Sequence, residues 1–235
     1  MSGHVAAIEH KAEFKIKKWI LSEKTDQGLE RMNMAKSVHH FVALSRETGA
    51  LGSEVAERIA DRLNWDLLDS RIVDYMEEQY GTPRCLLQSV DERHENWTSS
   101  IFTSRIGGLG FSETTHSHRV AKLLLLAASK ANVVIVGRGG QFILPRSKGL
   151  SVRIVAPMDF RIQQVMLERR IGERDARRHI IATDHDRHEY IRCHFGKNVS
   201  DPHHYDLVLN VGDITIDGAA DMIVESVDRL VRRLD

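Results

Sequence analysis

A short run at residues 45–53, Ser-Arg-Glu-Thr-Gly-Ala-Leu-Gly-Ser, holds residue types that could bind a phosphate group. The guanidinium of Arg46 offers a planar fork of hydrogen-bond donors that suits phosphate oxygens. Gly49 and Gly52 would let the backbone approach an anion closely, and a helix that begins here would direct its free N–H groups at that anion. The run therefore indicates phosphate binding, and an ordinary strand-turn-helix corner is the alternative on these residues alone.

The same run matches the standard phosphate-loop pattern, G-x-x-x-x-G-K-[ST], only at its last position. Arg46 stands at the first glycine and Leu51 at the second. Gly52 stands at the lysine, whereas Ser53 agrees with the pattern and would be placed to meet a magnesium ion. We expect Arg46 to supply part of the missing positive charge, although not from the position of the lysine.

Two periodicities predict the elements that position this run. Residues 41–44 are apolar, a length typical of a buried strand, and residues 53–63 carry apolar side chains at helical spacing. Strand and helix then alternate to the end of the chain, which predicts an α/β fold with a five-stranded parallel sheet and helices on both faces. The further strands are predicted at 65–69, 132–140, 152–156 and 205–210, and the further helices at 71–80, 113–130, 159–171 and 216–234.

Polar residues follow two of the predicted strands. Asp69 and Ser70 come after the second strand, and Arg138 comes after the third. In open parallel sheets the ligand crevice lies outside the carboxyl ends of the strands, so these side chains are candidates for binding. Two structural alternatives stay open: Asp69 or Ser70 caps the next helix, and Arg138 forms a salt bridge with a loop carboxylate.

Charge density rises sharply between residues 168 and 192. The high number of arginines relative to lysines in this segment favours bidentate phosphate recognition, and a solvated helical hairpin is the alternative interpretation. Six histidines between residues 179 and 204 match no metal-binding spacing. The arginines are Arg169, Arg170, Arg174, Arg177, Arg178, Arg187 and Arg192.

Composition limits the classes of partner and the compartment. Lys plus Arg equals Asp plus Glu at 33 each, so no overall basic field favours a nucleic-acid partner. Cys85 and Cys193 match no paired metal spacing and are interpreted as free thiols in a reducing compartment. The start of the chain has no apolar core for export, and no later segment approaches the length of a membrane span. We therefore expect a cytoplasmic protein with no membrane partner.

Two segments fall outside the regular alternation. Residues 1–40 are polar and charged, with a loose apolar stripe that predicts a short helix around residues 6–21. This appendage could pack against the domain, form a homo-oligomer, contact a protein partner or be partly disordered. Residues 81–112 are the least regular, with a helix predicted around 85–97, and are interpreted as a flexible cover over a substrate or as a solvated loop.

Five stretches of the chain carry a family likeness when they are taken in order. They are Ser45-Arg46-Glu47-Thr48-Gly49 with Gly52-Ser53, Leu68-Asp69-Ser70-Arg71, Val134-Ile135-Val136-Gly137-Arg138-Gly139, Asp184-His185-Asp186-Arg187 and Tyr205-Asp206-Leu207-Val208-Leu209-Asn210. This ordered set resembles the cytidylate kinase-like family, a branch of the nucleoside monophosphate kinases within the phosphate-loop transferases. The resemblance runs across residues 41–232 and leaves only the N-terminal appendage outside.

The resemblance implies a kinase domain over residues 41–235, with a phosphate loop at 45–53, an acceptor-binding region at 70–130 and a lid at 169–195. The implied reaction transfers the γ-phosphoryl group of ATP, with Mg²⁺, to a nucleoside monophosphate that is cytidylate-like, or to a related small acceptor. The residues implied to bind ATP are Ser45, Arg46, Gly49, Ala50, Gly52 and Ser53, and Ser53 also meets the metal. Those implied to bind the acceptor are Asp69, Ser70, Arg71 and Arg138. The implied catalytic arginines are Arg46, Arg138, Arg170, Arg174 and Arg187.

The chain departs from true cytidylate kinases at two places. Gly52 replaces the phosphate-loop lysine, a change typical of this branch, and Gly139 replaces an acidic residue after the arginine of the third strand. Leu51 is more individual, because the family has small residues there. These departures leave three hypotheses: a kinase, a nucleotide-binding regulatory module that has lost the chemistry, and an anion-binding or structural protein without a nucleotide site.

Overall fold

The computed structural model of the protein describes residues 2–31, 39–80 and 116–234. The irregular segment predicted at 81–112, the helix predicted at 85–97 and much of the acceptor-binding region at 70–130 therefore lie outside the described residues.

The predicted five-stranded parallel sheet is confirmed. Its strands pair in the order β2-β3-β1-β4-β5, so β1 lies in the middle, and every pairing is parallel. In this register Ala43 of β1 lies between Ile135 of β3 and Ser151 of β4. The loop that follows β1 consequently opens at the centre of the carboxyl edge of the sheet. The strands are β1 (Phe41–Arg46), β2 (Asp66–Leu68), β3 (Val133–Val136), β4 (Gly149–Val155) and β5 (Leu207–Asn210).

Helices cover both faces of this sheet, as the alternating pattern predicts. The arginine-rich segment begins at the end of α6, turns at 170–172 and continues as one long helix, α7, which packs against α6. In chain order the described helices are α1 (Ser2–Arg31), α2 (Gly52–Leu63), α3 (Ser70–Tyr80), α4 (His116–Lys130), α5 (Gly140–Ile143), α6 (Met158–Arg169), α7 (Glu173–Phe195) and α8 (Ile216–Leu234), with short 3₁₀ turns at Arg146–Lys148 and Pro202–His204.

The two cores follow from the alternation of side chains along β1. Phe41 and Ala43 join the core under α1, α3 and α4. Val42 and Leu44 join the core under α2 and α8. Because both faces of the strand are buried, its sequence is continuously apolar, as central parallel strands usually are. The sheet is thereby fixed between two helical layers, and its carboxyl edge is left for the site.

The N-terminal helix α1 packs on α3 and α4 and is longer than the predicted stretch at 6–21. Trp19 is buried in the same core as Phe41. Lys15 and Lys18 each donate a hydrogen bond to Asp66 of the edge strand β2, both at 3.1 Å. The division of the chain into an appendage at 1–40 and a domain at 41–235 stays a prediction.

Replacement of Trp19 by alanine is expected to destabilise the protein strongly. The side chain is 1% exposed, and removal of a buried tryptophan typically lowers the free energy of unfolding by about 3–5 kcal/mol. Phe14 on the same helix is 62% exposed and provides the control, since its replacement by alanine should change this free energy by about 0.5 kcal/mol or less. Urea unfolding of both variants measures the difference. Equal, small effects would mean that α1 contributes nothing to the core.

Among the helices in the described parts of the chain, none is both long enough and apolar enough to cross a membrane.

Candidate active site

A cavity of about 470 Å³ opens at the carboxyl edge of the sheet. Ser45, Arg46 and Glu47 line it from the end of β1, and the turn at 137–139 lines it from the end of β3. The long helix α7 covers it with side chains between residues 183 and 191. The cavity therefore lies where ligands bind in open parallel sheets, beside the loop that the sequence singled out.

Four arginines and three carboxylates, those of Glu47, Asp184 and Asp186, line the cavity, so its wall carries a small excess of positive charge. Most of the arginines on its wall have a carboxylate partner: Arg138 pairs with Asp74, and Arg187 lies 3.8 Å from Asp184. Arg46 differs from them, because within the described ranges no ion pair of its guanidinium occurs. Such a wall favours an anionic ligand. Its four arginines are Arg46, Arg138, Arg153 and Arg187.

The position of Arg46 explains why no lysine stands at residue 52. A Cβ atom on Gly52 would lie 2.5 Å from Cβ and 2.9 Å from Cγ of Arg46, closer than such atoms can approach. A Cβ atom on Gly137 would lie 2.7 Å from Nη1 of the same arginine. The arginine thus fills the space where a side chain at 52 would begin, and two glycines make room for it.

Burial lowers the pKa of Arg46 to about 10, and repulsion from Arg187 and Arg138 adds to this effect, while Asp69 and Asp184 oppose it. Burial is also the main cause that lowers the pKa of Arg187. Arg46 still carries its charge at pH 7, so the folded protein holds a desolvated cation among other cations. This arrangement lowers stability, and an anion bound beside Arg46 would relieve it.

The loop between β1 and α2 turns through two left-handed residues, Gly49 (φ 77°) and Leu51 (φ 53°). Glycine suits the first position, where a Cβ atom would lie 2.6 Å from the carbonyl oxygen of Arg161. Leucine is strained at the second, since a left-handed L-residue costs about 1–2 kcal/mol. Helix α2 begins directly afterwards at Gly52, which directs the N–H groups of its first turn toward the carboxyl edge of the sheet.

Replacement of Leu51 by glycine is expected to give a more stable protein than replacement by alanine. Both variants lose the same leucine contacts, but only glycine adopts the left-handed conformation without strain. The free energies of unfolding of the two variants should differ by about 1 kcal/mol in favour of glycine. Thermal unfolding measures this difference, and identical stabilities would show that the backbone at 51 is not strained.

Helix α7 is tied to the loop by Asp184. The N–H and Oγ1 of Thr48 both donate to Oδ1 of Asp184, at 2.9 and 2.8 Å. Arg161 of α6 donates to the other carboxylate oxygen, to Oε2 of Glu47 at 3.3 Å and, through Nε, to the carbonyl of Thr48 at 2.8 Å. Arg187 donates to Oγ1 of Thr48 at 3.1 Å. The loop conformation is consequently held by one acidic and two basic side chains.

Two arginines around this loop, Arg153 and Arg161, were not predicted from the sequence. Arg153 is buried in β4, donates to Oγ of Ser45 at 3.1 Å and lies over the ring of Tyr205. An arginine between Val152 and Ile154 in a buried strand is a signal that could have found it. Arg161 gives no such signal, because an arginine in an amphipathic helix normally faces solvent.

The predicted acceptor residues have structural partners. Asp69 caps α3, because its Oδ1 accepts from the N–H of Ile72 at 2.8 Å and its Oδ2 accepts from the exposed side chain of Arg71 at 2.9 Å. Arg138 forms an ion pair with Asp74 of α3. These are the two structural alternatives considered for Asp69 and Arg138.

Arg138 also contacts an aromatic ring on the acceptor side of the cavity. Arg138 lies over the ring of Tyr190, with its Cζ 5.6 Å from the ring centroid. Burial raises the pKa of Tyr190, and the nearby guanidinium of Arg138 opposes this shift. Ser70 and Arg138 line the cavity, so they stay in reach of a ligand there.

Three further predicted residues lie away from the cavity wall. Ser53 is exposed in the first turn of α2, and Arg170 is exposed where α6 ends. Arg174 is exposed near the start of α7, and at 1.5 Å per residue it lies roughly 20 Å along the helix from Arg187. In the part of the chain that the structure describes, no three His, Cys, Asp or Glu side chains cluster as a metal site. Of the predicted arginines, the cavity therefore brings together Arg46, Arg138 and Arg187.

Comparison with known proteins gives one family and several structures. The model of the cytidylate kinase-like family matches residues 41–213. An uncharacterized protein from Eubacterium ventriosum superposes with a TM-score of 0.65 and 21% identity, over 83% of this chain and 99% of that one. A shikimate kinase from Bacteroides thetaiotaomicron superposes with a TM-score of 0.43 and 15% identity, over 80% and 97% of the two chains.

One curated relative matches only in part. A uronate isomerase from Corynebacterium glutamicum is 29% identical over 106 residues, which are 45% of this chain and 20% of that protein. The chain thus spans about a fifth of the length of the curated relative it matches.

Proposed function

Because the chain belongs to the cytidylate kinase-like family, we propose that it transfers the terminal phosphoryl group of ATP to a nucleoside monophosphate or a related small acceptor. The family match supports a phosphotransferase of the phosphate-loop kinase type. The use of ATP and Mg²⁺, the identity of the acceptor and the roles of individual residues are part of this proposal.

The observation that carries the proposal is the placement of Arg46. Its guanidinium is largely desolvated, repelled by Arg187 and Arg138, and without an ion-pair partner among the described residues. It also fills the space where a side chain at Gly52, the position of the phosphate-loop lysine, would begin. A cation held this way, on an arginine whose Cβ and Cγ pack against the start of α2, is suited to bind the phosphate groups of a nucleotide.

In the proposed reaction the protein acts mainly by positioning and by neutralising charge. Arg46 and the N–H groups at the start of α2 would hold the phosphates of ATP. Arg187 of α7 and Arg138 of the turn after β3 would neutralise the charge that spreads over the transferring group. Helix α7 would keep water away from it, because this helix covers the cavity.

Bound Mg²⁺ would neutralise charge on the ATP phosphates. This ion usually keeps several waters and takes only one or two protein oxygens beside the substrate phosphates. Ser53 is the protein ligand that we propose, from its place in the loop pattern. Its side chain lies in the first turn of α2 and faces solvent.

Residue 139 is a glycine, so no acidic side chain at this position recognises cytosine on the acceptor side of the cavity. A Cβ atom on Gly139 would lie 2.3 Å from Cε2 of Phe195, so an acidic side chain there would clash with that ring. We therefore propose a nucleoside monophosphate or related acceptor without a strong preference for cytidylate.

A coupled assay of ADP release tests the proposal. The purified protein is mixed with ATP, Mg²⁺ and each member of a panel of nucleoside monophosphates and small phosphorylated sugars. The expected result is ADP formation that needs Mg²⁺ and one class of acceptor. Binding of ATP without turnover against the whole panel would contradict the kinase proposal.

That outcome would support a second function, a nucleotide-binding regulatory module. Two contacts favour it: the N–H of Thr48 already donates to Asp184, and Arg138 is paired with Asp74. Both contacts occupy groups that a catalytic site would offer to substrates. A module of this kind could bind a partner through residues 1–40, where Phe14 and Leu21 of α1 are exposed.

A further inference from the structure

We infer that Asp184 is an internal ligand of the loop at 45–53: its carboxylate holds the place of a substrate phosphoryl group, and binding of that group releases it. This inference rests on the proposed function, because it concerns the same cavity and a phosphate-bearing ligand. It adds a regulatory role for helix α7, on which Asp184 lies.

The donors around Asp184 form a built site for an oxyanion. One carboxylate oxygen accepts from both the N–H and the Oγ1 of Thr48, at 2.9 and 2.8 Å. The other accepts from the guanidinium of Arg161, which is 5% exposed. A backbone N–H, a hydroxyl and a buried arginine are the donors that phosphate oxygens bind in proteins. The carboxylate therefore occupies a place whose donors also suit a phosphoryl group.

Release of Asp184 would not leave the buried guanidinium of Arg161 without a partner, and Arg187, which lies 3.8 Å from Asp184, is 34% exposed and can meet water. Arg161 would keep its hydrogen bonds to Oε2 of Glu47 at 3.3 Å and to the carbonyl of Thr48 at 2.8 Å. The side chain of Asp184 is 29% exposed at the cavity wall, so its carboxylate can turn to water. The large loss of stability that follows when one partner of a buried ion pair is stranded is thereby avoided.

Asp184 would lower the affinity of the site for phosphates. When a ligand binds only after the carboxylate has left, its apparent affinity equals its intrinsic affinity multiplied by the fraction of protein molecules in the released state. The carboxylate also repels a phosphate group directly. Since Asp184 lies on α7, phosphate binding would also remove one contact between this helix and the loop, while Arg187 would keep its hydrogen bond to Oγ1 of Thr48.

Titration calorimetry of three variants tests the inference. Asp184→Asn and Asp184→Ser remove the charge, and the use of two side chains guards against one that folds poorly. Asp186→Asn is the matched control, because Asp186 lies on the same helix and the same cavity wall but is exposed. Each protein is titrated with ATP and Mg²⁺ and, separately, with AMP as a simple phosphate monoester.

Both Asp184 variants are expected to bind ATP, AMP or both at least about fivefold more tightly than the wild type. The affinities of Asp186→Asn should stay within about twofold of the wild-type values. Tighter binding of ATP alone would assign the site to the terminal phosphates, and of AMP alone to the acceptor phosphate. Wild-type affinity or weaker binding in the Asp184 variants, or an equal gain in Asp186→Asn, would overturn the inference and leave the proposed function standing. No binding of either nucleotide by any protein would overturn both.

Discussion

Replacement of Arg46 by methionine is expected to weaken ATP binding about 10–100-fold and to raise the temperature of unfolding at the same time. The loss of affinity follows from the charge-assisted hydrogen bonds to phosphate, which contribute about 1.5–3 kcal/mol. The gain in stability follows because methionine fills much of the same volume without a desolvated charge beside Arg187 and Arg138. Residues that serve binding and not folding characteristically show this opposition.

Calorimetric titration with ATP and Mg²⁺ and a thermal unfolding scan measure the two effects on the same preparation. Arg229→Met is the control, since Arg229 is an exposed arginine of α8 and should leave both quantities unchanged. A lower unfolding temperature together with unchanged ATP affinity would show that Arg46 is a structural residue and would remove the basis for the proposed site.

Introduction of the phosphate-loop lysine, by Gly52→Lys, is expected to damage the protein and not to improve it. The new Cβ atom would lie 2.5 Å from Cβ of Arg46, and overpacking of this kind typically lowers the free energy of unfolding by about 1–3 kcal/mol. Displacement of Arg46 would also weaken ATP binding, although the sequence pattern alone suggests that the lysine should strengthen it.

The double variant Arg46→Gly, Gly52→Lys carries the standard pattern at both positions and removes the clash. We expect it to recover stability relative to Gly52→Lys, with a coupling free energy of about 1–3 kcal/mol between the two positions, and to regain ATP affinity. Urea unfolding and calorimetry of the four proteins of this cycle measure both terms. Additive effects on the free energy of unfolding, or stronger ATP binding by Gly52→Lys alone, would contradict the interpretation that Arg46 occupies the space of a side chain at residue 52.

Much of the fold could be predicted because its signals are local. The apolar run at 41–44 specifies a buried strand, and the change to helical spacing after Ser53 specifies the helix that follows. The order of the strands, with β1 at the centre, was not predicted, because the alternation of strand and helix does not determine which strands are neighbours. The long helix α7 was harder to predict, because its charged residues are typical of a hairpin and of a single helix alike.

The candidate site could be predicted only in part, because its contacts are not local. Arg46 and Arg187 are 141 residues apart in the chain, and only the fold shows that they share one cavity. Arg161 reaches the loop from the buried side of α6, which no pattern in the sequence reveals. Gly52 had been interpreted as a loss of charge, whereas its glycine makes room for Arg46. The spacing of residues in the sequence therefore located the loop, but only the packing of the fold shows which arginines lie beside it.

A crystal structure of the protein with a non-hydrolysable ATP analogue and Mg²⁺ would test the central claim most directly, namely that Arg46 binds the phosphates of ATP at this loop. The proposed function predicts phosphate oxygens within about 3.2 Å of the guanidinium nitrogens of Arg46, beside the start of α2. An analogue bound elsewhere, or bound in the cavity without contact to Arg46, would contradict that claim.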